Sequence, residues 1–132
     1  MHVNYWAILV AGIISFGLGG LWYSVLFSKQ WMSVVGKTEE ELKKLNKPIN
    51  FFSTFVLGLI TAYILAFIVM FAGANTLLNG IEVGILCWVG FAGATSYAHS
   101  LFGGRPQKLW MIDSGYNLVT FIINGAILAI WK

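Results

Sequence analysis

Four apolar stretches, each about as long as a bilayer's hydrocarbon core is thick, occupy most of this chain. They cover residues 5–27, 51–72, 81–102 and 109–131. A helix rises about 1.5 Å per residue, so about 20 apolar residues cross a core about 30 Å thick. A backbone in lipid must satisfy its own polar groups, which leaves helices or closed barrels, and runs of this length are helices. Composition agrees. Of the 132 residues only 10% are charged and 58% are hydrophobic, whereas soluble domains carry about 25% charged residues. There are too few polar side chains to coat a water-facing surface. The expected fold is an all-α integral membrane protein, one domain over 1–132, with four transmembrane helices in an antiparallel bundle.

The basic residues are unevenly placed. Lys29, Lys37, Lys43, Lys44 and Lys47 fall in the first linker, and Arg105 and Lys108 in the third. Only Lys132 lies on the other side. By the positive-inside rule, the 28–50 and 103–108 linkers are cytoplasmic and both termini are outside. The net charge of +3 is thereby a matter of topology, and no nucleic-acid partner is expected. Residues 1–4 carry no Lys or Arg, and the apolar run after them is too long for a signal core, so the first span is retained.

In the first linker, Thr38-Glu39-Glu40-Glu41 has the form of a capping box, followed by Lys43, Lys44, Lys47 and Pro48. Leu42 and Leu45 give one apolar edge, with Trp31 ahead of them. This predicts a short amphipathic helix on the membrane surface. The short connectors at 73–80 and 103–108 predict that span two lies beside span three, and span three beside span four.

Span four carries the strongest chemical signal. Asp113, Asn117, Thr120 and Asn124 are spaced four, three and four, which puts them on one helix face. Such a stripe faces protein or water rather than lipid. An ionised carboxylate at this depth costs several kcal/mol unless paired, which makes Asp113 a site candidate. His99 and Asp113 are each seven positions from Pro106, so the hairpin sets them at one depth. At regular helical spacing, Trp88, Ala92, Thr95, Ser96 and His99 share a face. His99 is therefore the expected partner of Asp113, with Arg105 able to snorkel to the same layer. Tyr23 and Ser24 end span one there, and Thr54 begins span two. The cluster reads either as a buried pair that fixes helix register, or as a polar vestibule that exchanges protons or binds a small solute.

Ala7, Ala11, Ser15 and Gly19 form a small-residue stripe on span one, and Gly84 lies in a second one on span three. Such stripes let helices approach closely, within a chain or between copies. The expected partners are the lipid bilayer, further copies of the chain in a homo-oligomer, and a larger membrane complex. No phosphate loop, metalloprotease helix or nucleophile elbow is present. The single cysteine, Cys87, has no zinc spacing around it, and His2 and His99 lie at opposite ends of the spans. No catalytic set, cofactor or metal is predicted. One internal echo is visible: Leu26-Phe27-Ser28-Lys29-Gln30-Trp31-Met32 parallels Leu101-Phe102 with Gln107-Lys108-Leu109-Trp110-Met111.

Two further stretches carry a resemblance. Leu18-Gly19-Gly20-Leu21-Trp22-Tyr23-Ser24 is followed by Trp31, and Gly104-Arg105-Pro106 by Asp113-Ser114-Gly115-Tyr116-Asn117. In these the chain resembles a bacterial family of small four-span membrane proteins known only as a domain of unknown function. The resemblance implies the four-helix topology and a bacterial inner (plasma) membrane location. It implies no activity. Three readings are open: conduction or transport of an ion, proton or small solute; an accessory or scaffold protein; and an enzyme acting on a lipophilic substrate with His99 and Asp113 as acid and base.

Overall fold

The computed structural model describes residues 3–131; the readings that rest on Met1, His2 and Lys132 fall outside the described residues. Helix α1 (Tyr5–Leu21) runs into a π-helical turn, Trp22–Leu26. Two short helices follow, α2 (Ser28–Val34) and α3 (Glu39–Leu45), then the long α4 (Pro48–Phe71). Helix α5 (Leu77–Cys87) passes through a second π-helical turn, Trp88–Gly93, into α6 (Ala94–Phe102). Helix α7 (Gln107–Ile130) closes the chain. Among the described residues there is no strand.

Four segments are long and apolar enough to cross a membrane: Tyr5–Leu26, Pro48–Phe71, Leu77–Phe102 and Gln107–Ile130. Their 22 to 26 residues correspond to about 33–39 Å of helix. Their outward faces are apolar, with Phe91 76% and Leu86 70% exposed, which suits lipid and not water. Local chemistry sets the ends. The Asn4 side chain accepts from the Trp6 and Ala7 N–H groups to open α1. The preceding helix ends before Pro48, which begins α4, where its missing N–H costs nothing. Thr76 caps α5 through the Asn79 N–H, which places Asn79 inside the helix. Gly73 and Gly104, at φ 69° and 63°, take the left-handed backbone that ends one helix and turns toward the next.

The first linker contains the predicted surface helix, α3. Thr38 accepts from the Glu41 N–H at 3.2 Å, and Lys43 and Glu39 pair at 3.7 Å. Helix α2 was not signalled by any polar period. It exists to carry Trp31 against the end of α1, where the Tyr23 and Trp31 rings meet edge-on at 5.5 Å. Tyr97 and Trp110 repeat that contact at 4.7 Å. The sequence echo thus has a structural counterpart: a π turn, then an edge-on Tyr–Trp pair.

Helix α7 is the hub of the bundle. It packs along α5 and also meets α1 and α4, while α4 and α5 touch only lightly. The short loop between α4 and α5 limits their separation without making them partners. A glycine seam makes α7 the partner of α5. A Cβ on Gly80 would overlap the Gly125 carbonyl, one on Gly84 the Phe121 carbonyl, and one on Gly125 the Gly80 carbonyl. Backbones this close gain dispersion contacts that lipid tails cannot match. On α1, Ala7, Ala11 and Ser15 are buried within the single chain, and Gly12 lies against Leu59 of α4. Gly19 lies beneath the Tyr116 ring.

Candidate functional site

The polar stripe of α7 divides into two halves with different surroundings. In the half toward the C-terminus, Asn124 is 1% exposed. Its Nδ2 donates to Ser15 Oγ at 3.0 Å, and the Ser15 hydroxyl donates to the Ala11 carbonyl at 2.8 Å. The Tyr116 hydroxyl donates to the Ser15 carbonyl at 2.6 Å. Thr120 is buried near that hydroxyl, and its Oγ1 has no well-formed hydrogen bond among the described residues. This half is sealed between α1 and α7.

Asp113 heads the other half. It lies six residues into α7, about 9 Å along the helix. The Tyr23 hydroxyl donates to its Oδ1 at 2.7 Å, and the carboxylate is half-buried. Tyr23 comes from the π turn that ends α1, and its ring rests against Trp31 and Tyr116. Trp31 and Arg105 both lie close enough to act on the carboxylate charge. The backbone around Asp113 is fixed by indoles. Trp22 Nε1 donates to the Ile112 carbonyl and Trp88 Nε1 to the Ser114 carbonyl, each at 3.0 Å. Trp110 Nε1 donates to Ser96 Oγ at 2.9 Å, and Ser96 and Ser114 share a hydrogen bond at 3.3 Å.

Asp113 opens onto a cleft of about 650 Å³ that Tyr23, Trp31, Lys37, Arg105 and Leu109 also line. Among the described residues neither Lys37 nor Arg105 forms an ion pair. On the far side of Tyr23 and Trp31 lies a second, mostly apolar groove of about 790 Å³. Ser24 and Thr54 line that groove and not the Asp113 cleft. Asn117 is half-buried and makes no side-chain hydrogen bond among the described residues.

The expected His99–Asp113 pair does not form. His99 is exposed, and Tyr23 holds the carboxylate instead. The reason is the π turn at Trp88–Gly93, which inserts one residue into the helical count. At regular spacing, His99 is eleven residues after Trp88 and falls on its face. With one residue added, Ser100 takes that place, and Ser100 is buried. Trp88 and Ser96 still face α7, but Thr95 turns outward and bonds back to the Phe91 carbonyl.

Residues 6–129 match the sequence profile of DUF1761, described as a protein of unknown function. The chain belongs to the DUF1761 family. No curated protein and no solved structure matches it. In this DUF1761 chain the cleft uses two residues that the sequence did not assign to a site, Lys37 and Trp31, and Tyr116 lines the neighbouring groove. Lys37 counts only toward orientation, Trp31 toward an apolar edge, the echo and the family motif, and Tyr116 only toward that motif. The echo around Trp31 and Trp110 was the one signal that marked an aromatic wall.

Proposed function

We propose that this DUF1761 chain is a small multi-pass membrane protein that binds a charged solute in the Tyr23–Asp113 cleft and moves it across the bilayer as an assembly of copies. One observation carries the reading: a half-buried carboxylate, held by a tyrosine hydroxyl, opens onto a cleft with two cations that form no ion pair among the described residues. Ionisable groups at this depth are expensive and mark solute or ion paths. The sealed Asn124 half blocks the way within one chain, so the path is completed between copies. Gly17, Gly58 and Gly90, where an added Cβ meets open space, offer outward positions for close helix contact. By the positive-inside rule, the seven Lys and Arg of the first and third linkers support a cytoplasmic cleft with the chain ends outside.

The outward glycines also suit the second reading, an accessory or scaffold protein that docks on a larger membrane complex. The enzyme reading loses its acid–base pair, because His99 and Asp113 are apart. Flux in liposomes separates the first two. The wild type is expected to dissipate a proton gradient or an imposed gradient of chloride, phosphate or a small carboxylate. Asp113→Asn is expected to lower that flux at least tenfold while the protein still assembles. Wild-type flux no greater than that of empty liposomes, for every solute, rules out transport.

A further inference from the structure

We infer that the cleft and the neighbouring groove together hold one anionic amphiphile, a phospholipid with a singly charged phosphate headgroup. The inference rests on reading the Asp113 cleft as a ligand site, and it does not need transport. The head end is set by charge. Lys37 and Arg105 are two cations against one carboxylate, so the cleft is net positive. Arg binds phosphate bidentately through its planar fork, and Lys adds a point charge. Asp113 would repel a phosphate placed against it. Tyr23 occupies one carboxylate oxygen, which leaves the other to accept from a headgroup hydroxyl.

The tail end is set by shape. The groove is lined by Phe16, Gly20, Met32, Leu42, Leu45 and Phe51. Its charged lining residues, Glu39 and Lys43, pair with each other and leave no net charge there. Tyr23 and Trp31 border both spaces, so a head in the cleft and a tail in the groove meet across that aromatic edge. The volumes, about 650 and 790 Å³, fall within the range of about 300–1,000 Å³ for small-molecule sites. A water-soluble anion leaves the apolar groove unused. A zwitterionic phospholipid brings its own cation and leaves the net positive charge of the cleft in place.

The full chain, stripped of lipid in detergent, can be titrated with phosphatidylglycerol, phosphatidylcholine and water-soluble glycerol phosphate, with bound ligand counted by native mass spectrometry. Phosphatidylglycerol is expected to bind at least tenfold more tightly than either of the others. Lys37→Gln with Arg105→Gln removes the preference over phosphatidylcholine. Gly20→Leu fills the groove from a position where an added Cβ meets open space. It is expected to weaken phosphatidylglycerol at least tenfold and leave glycerol phosphate unchanged. Charge attraction to the membrane surface alone would be indifferent to Gly20→Leu. A melting curve for each variant establishes that it is folded. If glycerol phosphate matches phosphatidylglycerol, or if Gly20→Leu changes nothing, the amphiphile is overturned while the cleft stands as an anion site. If no ligand responds to the Lys37 and Arg105 changes, the cleft reading falls as well.

Discussion

The two halves of the α7 stripe carry the same kinds of residue at the same spacing and meet opposite fates. Around Asn124, the neighbours are small. Ser15 and Ala11 of α1 and the glycines of α5 bring backbones in, and among the described residues every buried side-chain polar atom but Thr120 Oγ1 has a hydrogen-bond partner. Around Asp113, the neighbours are large and aromatic. Tyr23, Trp22 and Trp31 brace the helix but stand off from it, and a cleft remains. The size of the facing side chains, rather than the polarity of the stripe, decides whether a polar face in a membrane bundle becomes glue or a site.

That contrast can be broken by substitution. The largest effect is expected at the glycine seam. Gly84→Leu drives a side chain into the Phe121 carbonyl and should cost about 3 kcal/mol or more, read as a collapse of the folded fraction in a detergent titration. Wild-type stability in that variant would mean the seam does not hold α5 to α7. Asn124→Ala removes a buried interhelical hydrogen bond and leaves a small void, and should cost about 1–2 kcal/mol in the same titration. Tyr23→Phe removes one hydrogen bond at a half-open site and should cost about 0.6 kcal/mol while reducing solute flux. A larger stability loss from Tyr23→Phe than from Asn124→Ala would reverse the assignment of glue and site. The smallest effect is expected at His99. His99→Ala should change stability by less than about 0.5 kcal/mol and leave flux alone, whereas a loss of flux would restore the pairing with Asp113.

The spans, the α3 cap and the polar face of α7 were legible in the sequence because each rests on length or period. Hydrophobic runs report burial in lipid, Thr38 with Glu41 reports a helix start, and spacings of four and three report a face. What was not legible depends on a count that regular periods assume. The π turn at Trp88–Gly93 adds one residue, so every face beyond it is predicted one position early, and Ser100 rather than His99 points inward. Lys37 escaped for a different reason. It reaches the site through α2 and the turn at Gly36, a fold of the linker that no periodic pattern encodes.

The indole bonds have a mechanical consequence. Trp22 and Trp88 grip α7 at the two positions that flank Asp113, and Trp110 ties it to α6. An axle held at three bearings neither slides nor spins without breaking all of them. For the ligand proposed above, the part left free to move is the one outside those bearings, the α2–α3 segment that carries Trp31 and Lys37 as the free jaw of a vice whose fixed jaw is α7.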